Sequence, residues 1–269
     1  MMKRYLFLLI SALLISGMVQ AQQLEWKESL NKIKSLIQAN PTQAENEFGE
    51  LIKGKNKKNT DLLTAISYAY LDAAKIADAQ RYLQLAQKSN KKSPEVSVLE
   101  GDIALAQKDA GRACQLYEQA IYFDPNYKEA YLKYAQVYRA ANPSLAIEKL
   151  EQLKTLDPTS VEADKGLAEI YYSTNKFDKA SEMYANFINT PSATDEDRLK
   201  YAFSLFMNHE FDKSLEIVQK GLQGNSRHAA FNRLAMYNYT ELPKHFFIIR
   251  IMPTFRHWII STMGLFLLV

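Results

Sequence analysis

The chain has 269 residues, of which 47% are hydrophobic and 23% are charged, so it can bury a core and is not a disordered chain. Only 9 glycines and 8 prolines are present, which excludes collagen-like and low-complexity classes and favours a helical protein. The single cysteine, Cys114, excludes a disulfide framework and a four-cysteine zinc site. The two ends (residues 1–21 and 242–269) hold five of the 33 basic residues and no acid. Residues 22–241 therefore carry 28 basic and 30 acidic residues, which argues against a nucleic-acid-binding protein.

Residues 1–21 have the pattern of a secretory signal peptide. Lys3 and Arg4 precede an uncharged apolar run, and small residues at Val19 and Ala21 occupy the positions that direct cleavage. The run is shorter than the ~20 residues that cross a bilayer, although an uncleaved anchor is the alternative. Gln22 follows instead of a lipid-bearing cysteine. We therefore expect an exported protein, periplasmic or otherwise extracytoplasmic, from a Gram-negative type of bacterium.

Residues 22–58 predict a helical N-terminal cap. Two amphipathic helices are expected between residues 24 and 55. Their apolar positions are Trp26, Leu30, Ile33, Ile37, Ala44, Phe48 and Leu51. The basic run 53–58 then predicts a solvated turn between the cap and the rest of the chain, with contact to an acidic partner as the alternative.

A repeat of about 34 residues follows, over residues 59–241. Small residues recur at steps of 34, 33, 34 and 34 at Ala79, Ala113, Ala146, Ala180 and Ser214. Four places after each comes a larger apolar residue: Leu83, Tyr117, Leu150, Tyr184 and Val218. Prolines at 125, 158 and 191 are 33 residues apart. Each unit predicts two amphipathic helices, and the small residues allow the two axes to approach within about 8–10 Å.

This pattern resembles the tetratricopeptide repeat (TPR), whose two helices carry W-x₂-L-G-x₂-Y and A-x₃-F and are followed by proline. The clearest unit has Tyr131, Tyr134, Ala135 and Tyr138 in the first helix, Ala146 and Leu150 in the second, and then Pro158. The resemblance implies an all-α fold, a right-handed α-solenoid of antiparallel helix pairs with about five and a half repeats. It also implies that the first helices line a concave groove that binds a partner polypeptide.

The tail, residues 242–269, departs from the repeat. It contains no Asp or Glu, and Pro253 falls where the second helix of a sixth unit would run. We considered three explanations: a frameshift near Leu242, which we favour; membrane association, at the interface or as an anchor; and an unusual terminal cap.

Motifs of catalysis and cofactor binding are missing from the sequence. It has no P-loop, G-x-G-x-x-G, G-x-S-x-G or H-E-x-x-H, and Cys114 is expected to be an inert helical thiol. We therefore expect no enzyme activity, no cofactor, no metal and no nucleic-acid partner. Membrane contact is expected only if the tail is genuine.

We placed the sequence of the first helix of each unit on helical geometry to find the residues that would face the groove. They are Tyr68, Asp102, Gln136, Arg139, Lys165, Glu169, Tyr172, Phe203, Phe206, Arg233 and Tyr237. The apolar cluster of Phe203, Phe206 and Met207 predicts either burial under a neighbour or an exposed anchor patch. The expected function is a non-catalytic scaffold or adaptor for an unidentified protein or peptide in the cell envelope. The alternatives are the N-terminal half of a longer envelope protein whose catalytic or sensor domain is missing, and a glycan-binding module.

Overall fold

A computed structural model describes residues 26–242. The predicted signal peptide and residues 243–269 of the tail lie outside this range. All regular structure in the described residues is helical, and the chain divides into two compact units, Met1–Val137 and Tyr138–Val269.

Unit 1 begins with the helices of the predicted cap. These are α1 (residues 26–34), α2 (Leu36–Ala39) and α3 (Pro41–Leu51), followed by a 3-10 turn over Gly54–Lys58. The first predicted cap helix is thus interrupted at Ser35, whose hydroxyl donates to the carbonyl oxygen of Lys32 at 2.8 Å. Two packed pairs follow: α4 (Thr60–Asp72) with α5 (Ile76–Ser89), and α6 (Pro94–Ala106) with α7 (Ala110–Phe123).

Unit 2 continues the same pattern. The boundary between the units falls within α8 (Lys128–Ala141), which is followed by α9 (Pro143–Leu156). The packed pairs are α10 (Val161–Ser173) with α11 (Phe177–Phe187), and α12 (Asp195–Met207) with α13 (Phe211–Gly224). A last helix, α14 (Ala229–Glu241), packs against α13. In each unit the predicted fold class, an all-α solenoid of antiparallel helix pairs, is confirmed.

The turn between the helices of a pair explains the repeat length. Four of these turns contain a non-glycine residue with φ near +60°: Ala74, Lys108, Asn175 and His209. Each lies five residues before the small residue of the following helix. Between α8 and α9 the link is Asn142 alone, whose side chain caps α9. That link lies only four residues before Ala146, which is why one step of the repeat is 33 residues and not 34.

The predicted packing residues form the core. All five small second-helix residues, from Ala79 to Ser214, are 0% exposed. The larger residue four places after each of them is also buried. Gly101 illustrates how close the helices of a pair come, because a Cβ added there would lie 2.4 Å from the ring of Tyr117. The first helices also have a small residue, Ser, Gly or Ala, at the position seven residues after their start; this holds for α4, α6, α8, α10 and α12. In α14 the corresponding residue is Met236.

Candidate functional site

In unit 2 an aromatic row crosses three first helices. The row consists of Tyr172 on α10, Phe203 and Phe206 on α12, and Tyr237 on α14. Its successive ring centroids are 6.0, 6.5 and 6.3 Å apart. The rings meet edge-on or tilted, which are favourable arrangements for aromatic pairs. Four of the predicted groove residues are therefore brought together in one continuous surface.

Two further rings support the row from the second helices. Phe177, the first residue of α11, lies 5.8 Å from Tyr172 and 5.7 Å from Phe203. Phe211, the first residue of α13, lies 5.4 Å from Phe206. The sequence interpretation missed both. Their signal was nevertheless present, because Phe-Asp-Lys recurs 34 residues apart at positions 177 and 211.

The row is neither fully buried nor fully exposed. Tyr172, Phe203 and Phe206 are half-buried, while Tyr237 and the neighbouring Met207 are each 43% exposed. Phe203 and Phe206 also pack on the core that α13 and α14 complete. The structure thus combines the two alternatives considered for this cluster. One side of the rings stabilises the repeat interface, and the other side remains open.

Three charged residues of unit 2 that were predicted to line the groove, Arg139, Lys165 and Glu169, form ion pairs across neighbouring first helices. The guanidinium of Arg139 on α8 bonds to the carboxylate of Glu169 on α10. The ammonium of Lys165 donates to Oδ2 of Asp197 at 2.9 Å. Burial raises the pKa of Asp197, but the hydrogen bonds from Thr194 and Lys165 outweigh it and hold this pKa below its usual range. Arg233 is exposed on α14.

In unit 1 the carboxylate of Asp102 joins three elements. Its Oδ1 accepts from the Tyr117 hydroxyl at 2.7 Å. Its Oδ2 accepts from Lys133 at 2.8 Å and from the Tyr68 hydroxyl at 3.2 Å. Tyr68 and Asp102 were predicted groove residues, whereas Tyr117 was assigned to the core and Lys133 was missed. Gln136 is exposed on α8.

An acidic row lies at the starts of the first helices in unit 1. Asp61, Glu95 and Glu129 are 34 residues apart and occupy the first turns of α4, α6 and α8, where the helix dipole favours a carboxylate. Burial, together with the charges of Asp61 and Glu129, raises the pKa of Glu95 to about 7. The Tyr127 hydroxyl donates to Glu129 at 3.2 Å. This half-buried Glu95 is therefore sensitive to any change in the local charge.

These arrangements offer apolar contact and hydrogen bonding. Cys114 is buried in α7. Within residues 26–242, no group of three His, Cys, Asp or Glu residues is placed to hold a metal ion. In the same part of the chain, no helix is both long enough and apolar enough to cross a membrane.

Comparison with known proteins agrees with the repeat pattern. Residues 10–142 match the model of the tetratricopeptide repeat protein 21 ARM repeat, and residues 129–160 match a tetratricopeptide repeat model. No curated protein sequence matches the chain.

Similar solved structures share the fold at low identity. PilF of Pseudomonas aeruginosa has a TM-score of 0.60 at 14% identity, over 80% of this chain and 99% of that one. PilW, a widely conserved type IV pilus biogenesis factor, has a TM-score of 0.59 at 15% identity, over 78% and 98%. YrrB, a TPR protein with an unusual peptide-binding site, has a TM-score of 0.52 at 14% identity, over 69% and 96%. These likenesses show the same fold. The two repeat models, which together span residues 10–160, and the buried repeat positions identify the chain as a tetratricopeptide-repeat protein.

Proposed function

We propose that the chain is a non-catalytic scaffold of the cell envelope that binds a partner polypeptide on the aromatic row of unit 2. The observation that carries the proposal is the continuity of the row. Four half-open rings on three helices form one apolar strip, whereas surface apolar residues are usually scattered. Aromatic side chains supply much of the binding energy of protein interfaces because they bury a large area with few rotatable bonds.

The surroundings of the row favour an amphipathic partner segment. Two ion pairs link the helices that carry or precede the rings: Lys165 on α10 pairs with Asp197 on α12, and Arg139 on α8 pairs with Glu169 on α10. A segment with apolar residues on one face and polar residues on its edges would match both features. Exposed Arg233 would lie at the rim, where charges affect association rate and specificity more than affinity.

The location in the envelope rests on the signal-peptide pattern of residues 1–21. The division into cap, array and tail stays a prediction as well. PilF and PilW are structural neighbours, and PilW is a pilus biogenesis factor. Their likeness supports a scaffold role without naming the partner.

A photo-crosslinking experiment tests the proposal. A photoreactive phenylalanine analogue replaces Phe206 in the native host, and a matched probe replaces Tyr122, which is 82% exposed on α7 in unit 1. Mass spectrometry should identify a protein joined to position 206 but not to position 122, and Tyr172→Ala should reduce its yield. Equal capture at both positions, or crosslinks to glycan alone, would contradict a protein-binding row.

A further inference from the structure

One edge of unit 1 carries lysines from two loops that the fold brings together. Lys57 and Lys58 belong to the 3-10 turn after the cap, and Lys88, Lys91 and Lys92 lie at and beyond the end of α5. The hydroxyl of Ser89 donates to the carbonyl oxygen of Lys58 at 2.5 Å, and that of Thr60 donates to Ser89 at 3.1 Å. These bonds hold the two loops side by side. We call the five residues the lysine edge.

The charges of the lysine edge are not compensated. All five side chains are exposed, and none forms an ion pair with an acid in residues 26–242. The nearby Lys53 differs, because it pairs with Glu50 at 2.5 Å. Asp61 and Glu95 start the helices that follow the two loops. Within residues 26–242, neither of these two acids forms an ion pair with a lysine of the edge.

The chemistry of the edge favours a diffuse anionic surface over a shaped ligand. Lysine is a hydrated point charge, whereas arginine offers the planar fork that recognises a single carboxylate or phosphate in two places. Asparagines at 56, 59 and 90 separate the lysines, and no aromatic residue stands in either loop to grip a base or a peptide side chain. Clustered lysines of this kind are attracted to the anionic headgroups of a lipid surface.

We propose that the lysine edge docks unit 1 on an anionic lipid surface, reversibly and without insertion. This interaction is separate from the proposed function of unit 2, since it involves none of the aromatic row.

Vesicle sedimentation of the full chain tests the proposal. The vesicles contain either about one third phosphatidylglycerol or only zwitterionic lipid. Binding should require phosphatidylglycerol and weaken strongly as salt rises to about 0.3 M. The triple variant K57Q/K91Q/K92Q should bind at least about tenfold more weakly. The control K108Q/K176Q/K220Q, which removes the same charge elsewhere, should bind like the parent.

Three outcomes would overturn the proposal. Equal losses in both triple variants would show an effect of net charge alone. Equal binding to zwitterionic vesicles would show apolar association through another part of the chain. Binding of the edge to soluble polyphosphate, with no binding to phosphatidylglycerol vesicles, would assign it to a polyanion instead of a lipid surface. Circular dichroism of each variant checks that its helix content is unchanged.

Discussion

Tyr171 and Tyr172 are neighbours in α10, but Tyr171 is buried in the core and Tyr172 lies on a partly open face. Tyr171 is 6% exposed, its hydroxyl donates to Glu151 on α9, and the ammonium of Lys179 lies 5.4 Å from its ring. Tyr172 instead joins Phe177 and Phe203 in the aromatic row. One residue therefore belongs to the core and the next to the open face, so substitutions at these two positions test folding and the proposed binding separately.

The first prediction uses this pair. Tyr171→Ala should lower the free energy of unfolding by about 3 kcal/mol or more, because it leaves a cavity in the core. Tyr172→Ala should lower it by about 1 kcal/mol, since mainly ring contacts are lost, and should reduce partner capture. Urea unfolding and the crosslinking yield at position 206 measure the two effects. Equal destabilisation by the two variants would place Tyr172 in the core and contradict our assignment.

The second prediction concerns two buried tyrosine hydroxyls at the same place in the repeat. Tyr117 and Tyr184 are 67 residues apart, as are Asp102 and Glu169. The Tyr117 hydroxyl bonds to Asp102, but that of Tyr184 finds no hydrogen-bond partner among residues 26–242. Tyr117→Phe should therefore destabilise by about 1 kcal/mol, whereas Tyr184→Phe should be neutral or stabilising. Chemical unfolding decides, and a clear loss of stability in Tyr184→Phe would refute the interpretation.

The third prediction concerns the turn at Ala74. Its φ of 58° lies in the left-handed region, which is unfavourable for residues that have a Cβ atom. Ala74→Gly should therefore raise stability by about 0.5–1 kcal/mol. Ala73→Gly is the matched control: residue 73 has a φ of −81°, so glycine there should only increase the entropy of the unfolded chain and destabilise. In thermal unfolding, the Tm should rise for Ala74→Gly and fall for Ala73→Gly.

The fourth prediction concerns Glu95 and pH. Its pKa of about 7 in the folded chain is above the ordinary 4.5, so the folded state binds more protons between these values. Its contribution to stability is present below about pH 4.5 and is lost as pH rises through about 7. Glu95→Gln should flatten this part of the profile and stabilise the chain by about 1 kcal/mol at pH 8, a figure reduced for the solvent that half-buried Glu95 still contacts.

The control for this prediction is Glu162→Gln, which removes an exposed first-turn acid from unit 2. It should keep the decline in stability between about pH 5 and pH 8. The same decline in Glu95→Gln would mean that other groups cause it.

The positions of the repeats can be predicted from the sequence because close helix packing limits the side-chain volume at particular positions. Ala79 and Ser214 are small for the same steric reason, and that reason leaves a periodic mark in the sequence. The aromatic row is predictable in part, because the repeat fixes which face of each first helix is buried. The remaining face of these helices carries Tyr172, Phe203, Phe206 and Tyr237. The contacts of the polar site residues are harder to predict from the sequence. Whether Lys165 meets a ligand or Asp197 depends on rotamers and on a residue 32 positions away, and periodicity does not encode either.

Met236 has a consequence for engineering. It occupies the place where earlier first helices have Ser, Gly or Ala, and its thioether would hold a newly attached second helix too far away to interdigitate. A designer who wished to lengthen this molecule by grafting consensus modules after α14 would first have to trim that side chain to alanine.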